Sequence, residues 1–175
     1  MNRLLLLRHA KAAPQADSEA GDRTRPLLPR GERAAMAVGR WLATEGIAPD
    51  LALCSSATRA RQTLERVLPA LHGRPRVAYE DTLYLAEVPA LLARLRAVEP
   101  ARNCVLLVGH NPGLHELAAL LLGEAGGRLA RRLRENMPTG ALAGFELAGG
   151  WTALGRDPAR LVHYVTPKEL IRDGE

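Results

Sequence analysis

The chain has 175 residues, of which 47% are hydrophobic and 25% charged, and a formal net charge of +5. These values describe one globular domain and exclude a disordered chain. The longest apolar runs, residues 4–7 and 117–122, fall far short of the roughly 20 residues that cross a bilayer. Two cysteines argue against a disulfide framework or a Cys-rich metal site. One Phe, three Tyr and two Trp are too few for an aromatic platform that stacks single-stranded nucleic acid, so no nucleic-acid partner is expected. Met1-Asn2-Arg3 and four leucines are too short for a secretory h-region, which predicts a cytoplasmic protein. The basic charge is carried by 22 Arg against 2 Lys. That bias fits codon usage, and it equally fits bidentate contact with phosphate or carboxylate.

Residues 4–7 form a short apolar run and read as a buried strand ending at Arg8-His9. Residues 12–30, with Pro14, Gly21, Pro26 and Pro29, read as a long loop, a class of segment that is often functional. Residues 31–45 place Ala34, Val38, Trp41 and Leu42 on one helical face, and Gly46 stops the helix. A second apolar run at 51–54 leads into Ser55-Ser56. Ala60, Thr63, Leu64, Val67, Leu68 and Leu71 then mark an amphipathic helix, with Ser56 as its expected N-cap. Pro89 suits the first turn of a helix carrying Leu91, Leu92, Leu95 and Val98. A third run at 104–108 ends in Gly109-His110. Asn111-Pro112 reads as N-cap and first residue of the helix of Leu114, Leu117, Ala118 and Leu121. Residues 141–147 and 151–154 read as a hairpin across Gly149-Gly150, and 161–165 as a last strand before Pro167. Strands alternating with helices predict an α/β fold whose sheet is mostly parallel, with a site beyond the carboxyl ends of its strands.

Those strand ends carry Arg8-His9, the segment Ser55-Ser56-Ala57-Thr58-Arg59, and His110. Arginines grip phosphate through a planar fork of donors. A histidine beside them has its cationic form disfavoured, and neutral imidazole is the nucleophilic form. The set suits phosphoryl transfer through a histidine, although single histidines after strands are commonly structural.

Leu7-Arg8-His9-Ala10 resembles the Arg-His-Gly signature of the histidine phosphatase superfamily, with Ala in place of Gly. Arg8 to Ala12, Asp22, Arg25-Pro26-Leu27 and Arg30-Gly31 resemble its small SixA-type phosphohistidine phosphatase branch. Residues 55–63 are similar to the second arginine motif, and Val108-Gly109-His110-Asn111-Pro112 to the second histidine motif. The resemblance runs over about residues 3–166, which implies a single domain spanning 1–175 with a C-terminal tail at 167–175. It implies a phosphoglycerate-mutase-like fold, a three-layer α/β sandwich with a mostly parallel central sheet and helices on both faces. By the same resemblance His9 is the catalytic nucleophile. Arg8, Arg59 and His110 hold the phosphoryl oxygens, and Arg25 is a further phosphate ligand. No metal or other cofactor is implied. The implied substrate is phosphohistidine on a protein, in signal transduction.

One departure concerns the general acid. Larger members of the family carry a carboxylic acid after the second arginine helix, where this chain has Glu80, Asp81 and Glu87. Glu87, just before Pro89, is the candidate catalytic acid, against the reading of a solvated carboxylate at a helix entry. SixA-type proteins resemble a version of the fold without a clear acid, since a phosphohistidine nitrogen departs more readily than an alkoxide.

Other chemistries fail on spacing. A cysteine-phosphatase loop at Cys54 needs Arg at position 60, which is Ala, and Cys54 reads as a buried apolar residue. His115-Glu116 lacks the second His of a zinc helix, because position 119 is Ala. His72 and His163 read as structural or exposed, and Thr139-Gly140 as a turn. Arg128, Arg131, Arg132 and Arg134 form a basic helical run that is either a solvated face or a dock for an acidic protein or polyanion. Two rivals stand beside the phosphohistidine phosphatase: a broad phosphomonoesterase acting on small phosphates, and a polyanion-binding module without turnover.

Overall fold

The computed structural model describes residues 1–14 and 17–172; positions 15–16 of the expected loop and 173–175 of the expected tail lie outside the described residues. Six strands form one sheet in the order β3-β2-β4-β1-β5-β6. They are β1 (Asn2–Arg8), β2 (Leu51–Ser55), β3 (Arg76–Glu80), β4 (Cys104–Gly109), β5 (Leu142–Leu147) and β6 (Arg160–Val165). Three pairings are parallel, β1 with β4, β4 with β2 and β2 with β3. Two are antiparallel, β1 with β5 and β5 with β6. The sheet is therefore mostly parallel, as the sequence leads one to expect.

Alternating side chains divide the core into two layers. Leu4, Leu6, Leu53, Val105 and Leu107 face α4 (Val88–Arg96), α5 (Gly113–Leu122) and α6 (Arg128–Glu135). Leu5, Leu7, Ala52, Leu106 and Val108 face α2 (Pro29–Thr44) and α3 (Thr58–Val67). Helices thus cover both faces and complete the three-layer sandwich. No helix among the described residues is long and apolar enough to cross a membrane.

Several expectations are corrected. The 12–30 segment is not featureless: it holds a short helix, α1 (Glu19–Arg23), and an isolated bridge from Ala12 to Leu27. Ser18 caps α1 by accepting from Gly21 N–H at 3.0 Å, a turn too short to show helical periodicity. Helix α2 starts early, because Pro29 pre-sets its first turn. The N-cap of α3 is Ala57, not Ser56, while Ser55 Oγ accepts from Ala57 N–H at 3.3 Å. Helix α5 begins at Gly113, after a cis Asn111-Pro112 bond, because the Asn111 side chain donates to the Met137 carbonyl at 2.9 Å instead of capping.

The expected hairpin across Gly149-Gly150 does not form. Trp151–Ala153 is a 3-10 turn, and Trp151 is buried with its indole N–H on the Arg102 carbonyl at 2.8 Å. Strand β5 pairs with β6 instead. Strand β3, unmarked in the sequence, is an edge strand whose half-buried residues carry no apolar run. Within the expected tail, Pro167–Arg172 forms α7, with Leu170 packed on the α2 side of the core.

Candidate active site

The parallel register of β1 and β4 pairs Arg8 with Gly109, so the residues that follow the two strands, His9 and His110, lie side by side. His9 N–H donates to the Gly109 carbonyl at 3.0 Å, and the two imidazole centroids are 5.3 Å apart. Strand β2 pairs Cys54 with Val108, which brings Ser55 beside His110. Thr63 on α3 ties these ends together: its hydroxyl accepts from Ala10 N–H at 2.9 Å and donates to the Arg59 carbonyl at 2.7 Å. On the far side, Gly140 N–H meets the carbonyls of Arg8 and His9 at 3.1 and 3.0 Å. Gly140 has a φ of 78°, which favours glycine there.

The ends of β1, β2 and β4 open into a cleft of about 470 Å³ lined by Arg8, His9, Arg25, Arg59, His110 and Asn111, with Asp22 and Tyr84 among them. Five residues singled out in the sequence, Arg8, His9, Arg25, Arg59 and His110, therefore share one crevice. Glu87 does not join them. It is exposed at the position before α4 and does not line the cleft. Glu80 is held by Arg94 at 2.7 Å and Asp81 lies 3.6 Å from Arg23, and neither lines the cleft.

One contact fixes the tautomer of His9. Its Nδ1 lies 2.8 Å from the Ala10 carbonyl, which can only accept. The proton of the neutral ring therefore sits on Nδ1, and Nε2 carries the lone pair. Arg59 Nε lies 3.4 Å from that Nε2, the direction of a donor meeting a lone pair. Burial, followed by the charges of Arg59, Arg8 and Arg25, lowers the His9 pKa to about 3 despite the Ala10 hydrogen bond. His110 also falls to about 3, first through burial and then through His9 and Arg59. Its Nε2 lies 2.7 Å from Ser55 Oγ, one of the two donating to the other.

Asp22 and Tyr84 are the parts that sequence reasoning did not assign to the site. Arg59 is almost wholly buried, and it donates through Nη1 to the Asp22 carbonyl at 2.7 Å and through Nη2 to Asp22 Oδ2 at 3.1 Å. Arg25 Nε reaches Asp22 Oδ1 at 3.0 Å, and its Nη1 reaches the Ala13 carbonyl at 2.7 Å. The Tyr84 hydroxyl donates to Asp22 Oδ2, and the Tyr84 ring stands edge-on to His110 at 5.5 Å. Burial pushes Asp22 up, but the Tyr84 hydrogen bond and the arginines outweigh it and hold the carboxyl down at about 2. Asp22 is thus an ionised strut that aims two guanidinium groups. Arg8 is aimed by another route, its Nη1 donating to the Met137 carbonyl at 3.0 Å.

Two arginines of the basic run on α6 have partners within the molecule. Arg132 pairs with Glu169 at 2.6 Å, and Arg134 donates to the Gly123 and Ala125 carbonyls at 2.7 Å each. These contacts dock α7 and the α5–α6 loop, a structural role for two of the four arginines.

The histidine shifts set a pH dependence of stability. Between about pH 6.5 and about pH 3 the unfolded chain binds protons at both histidines that the folded cleft refuses. Stability should therefore be complete above pH 6.5 and decline as pH falls, with Asp22 adding a further loss between 3.8 and about 2. Thermal melts from about pH 7 down to about pH 4 should show a falling Tm, with a shallower slope for His110→Gln. A Tm that stays level to about pH 5 would mean that the imidazoles are not held neutral.

The chain matches the family model described as histidine phosphatase superfamily (branch 1) over residues 4–88. An uncharacterized protein of Mycobacterium tuberculosis is 37% identical to it over 164 residues, 93% of this chain and 100% of that one. A structure from Nakamurella multipartitia, provisionally named phosphohistidine phosphatase SixA, superposes with a TM-score of 0.82 and 33% identity, covering 95% of this chain and 96% of its own. A similarly named protein of Agrobacterium tumefaciens gives 0.79 and 32%, covering 95% and 98%. Likeness that runs through nearly the full length of both partners, at this identity, leaves one assignment: the chain belongs to the histidine phosphatase superfamily, in its SixA-type branch.

Proposed function

We propose that the protein is a phosphatase that hydrolyses phosphohistidine on a protein, through a covalent phosphoryl intermediate on His9. The family and its structural neighbours support phosphatase activity at the coarser level. The observation that carries the mechanism is the His9 tautomer, which leaves an unprotonated Nε2 facing Arg59 Nε at 3.4 Å in a cleft also lined by Arg8, Arg25 and His110. In the first step Nε2 forms a bond to phosphorus as the bond from phosphorus to the substrate nitrogen breaks. In the second, water attacks phosphorus, the bond to Nε2 breaks, and inorganic phosphate leaves.

Arg8, Arg25, Arg59 and His110 hold the phosphoryl oxygens in both steps. Arg59 has five N–H donors. One on Nε, one on Nη1 and one on Nη2 already have partners, so the second hydrogens of Nη1 and Nη2 are left for a phosphoryl group. These fixed cations supply the charge that a metal ion supplies elsewhere, so turnover should survive chelation.

The leaving group follows from the carboxylates. Asp22, the one set among the arginines, is held ionised and has no proton to give. Glu87, the expected acid, stands outside the cleft. Two more carboxylates, Asp17 and Glu19, line the rim, Glu19 paired with Arg23 at 3.4 Å. A site whose one carboxylate among the arginines is ionised favours a group that departs without full protonation, as an imidazole nitrogen does more easily than an alkoxide. The test is a panel in which a phosphohistidine protein is compared with small phosphoesters, with and without EDTA. We expect kcat/KM on the phosphohistidine protein to exceed that on alkyl esters by about a hundredfold, the usual worth of a general acid. Equal or better turnover of alkyl phosphates would replace this reading with a small-molecule phosphomonoesterase, and activity restored by a divalent ion after chelation would overturn the metal-free cradle.

A further inference from the structure

We propose that Leu85 is a specificity-determining residue that packs against a flat ring in the leaving group; this deepens the phosphohistidine reading and rests on its cleft. Residues Leu83 to Ala86 form a tight turn, closed by Ala86 N–H on the Leu83 carbonyl at 3.4 Å. Tyr84 has φ −66° and ψ 117°, and Leu85 has φ 49°. Those angles describe a type II turn, whose third position calls for glycine or asparagine. Leu85 is the non-glycine residue with positive φ among the described residues, and a bulky side chain there carries backbone strain.

The strained side chain is not explained by burial. Leu85 is 50% exposed, and it lines the cleft beside His9 and His110. What is buried is the base of its turn. Leu83 sits in the core, and the Ala86 carbonyl presses against Gly113, where an added Cβ would lie 1.9 Å from its oxygen. The turn is therefore clamped at both ends, and it presents one apolar side chain to solvent at a fixed place in the cleft wall. Tyr84, its neighbour in the turn, is also fixed, with its hydroxyl on Asp22 and its ring under the Arg23 guanidinium at 4.0 Å.

The other rim residues, Asp17, Ser18 and Glu19, are polar. A leaving group between such walls is best matched when it has an apolar face and a polar edge. An imidazole has both. A sugar or hydroxy acid would instead desolvate its hydroxyls against leucine without a partner.

The test reads the ratio of kcat/KM for a ring-bearing over a ringless leaving group, within one preparation, so that loss of folded protein cancels. N-phosphohistidine is set against phosphoramidate, and phenyl phosphate against glycerol phosphate. Leu85→Gly and Leu85→Asn both suit the turn better than leucine and remove the apolar surface. Each should lower the ratio about tenfold, whereas Leu85→Met should keep it. An unchanged ratio in the glycine and asparagine variants overturns the proposal. If the wild type cleaves the esters but neither phosphoramidate nor N-phosphohistidine, the phosphohistidine reading fails, and the phenyl-to-glycerol ratio decides Leu85 by itself. Inertness towards all four compounds removes both.

Discussion

Replacing His9 with alanine is expected to lower turnover by roughly a thousandfold or more, as loss of a nucleophile does in other covalent enzymes. It should also abolish a phosphoryl adduct that is stable in base and labile in acid. The fold should tolerate the change. The bonds that seat residue 9 are main-chain bonds, from its N–H to Gly109 and from its carbonyl to Gly140, and alanine keeps both. The variant also removes a ring held neutral at a cost in acid, so its Tm should fall less steeply below about pH 6.5 than that of the wild type. Rapid quenching with a labelled substrate, followed by peptide mapping, checks the first point, and melts across pH check the second. An adduct on another residue, or turnover that survives in His9→Ala, would remove His9 from the reaction.

The parts of the site that the sequence announces are those set by strand register. Arg8-His9 and Gly109-His110 each follow a run of buried residues, and parallel strands that end together bring their next residues together. Arg59 could be found because it follows β2 by a short turn and opens an amphipathic helix. Asp22 and Tyr84 give no such signal. Asp22 lies on a five-residue helix, too short to show a period, and its role depends on two arginines at quite different distances along the chain. Tyr84 sits between Leu83 and Leu85 in a turn, and nothing local says that its hydroxyl reaches back to Asp22. Glu87 is exposed and does not line the cleft, which fits the solvated helix-entry carboxylate rather than the candidate acid: a carboxylate in the right stretch of chain says nothing about whether it faces the cleft. The Arg128–Arg134 run shows a further limit, because charge density in a sequence does not reveal that Glu169 and two loop carbonyls take up two of its members.

The fold divides along similar lines. Buried parallel strands are continuous apolar runs, so β1, β2 and β4 stand out, and α2, α3 and α5 carry clear apolar faces. Edge elements lack that contrast. Strand β3 is half-exposed and flanked by Arg76 and Glu80, so neither alternation nor continuity marks it. The false hairpin arose from Gly149-Gly150, a strong turn signal followed by apolar residues. Those residues, Trp151 and Leu154, turn into the core instead of forming a ladder, and the true partner of β5 comes later in the chain. Local turn chemistry fixed where the chain bends but left the choice of partner strand to the packing of Trp151.

Arg59→Lys is the second change expected to have a large effect, and it separates charge from geometry. Lysine keeps the positive charge, but an ammonium on a flexible stem cannot meet the Asp22 carbonyl, Asp22 Oδ2 and His9 Nε2 at once, as the guanidinium does at 2.7, 3.1 and 3.4 Å. If the cradle works by directed donors, kcat should fall about a hundredfold or more, as for loss of one preorganised transition-state donor. If it works by net charge alone, Arg59→Lys should stay close to the wild type and only Arg59→Ala should fail. Stability adds a second readout. Arg59 is 2% exposed and balances a carboxylate that Tyr84 and Arg25 also hold, so removing the guanidinium leaves Asp22 with fewer partners. Stranding a buried charge outright costs about 3–5 kcal/mol; Arg25 and Tyr84 still hold Asp22, so Arg59→Ala should lower Tm by an amount below that ceiling. Adding Asp22→Asn to Arg59→Ala removes the under-partnered charge, so the double variant should recover part of that Tm while its turnover stays low. Recovery of both would make the pair a structural ion pair with no part in the cradle; recovery of Tm alone keeps Arg59 as the residue that faces the phosphoryl group and Asp22 as the strut that aims it.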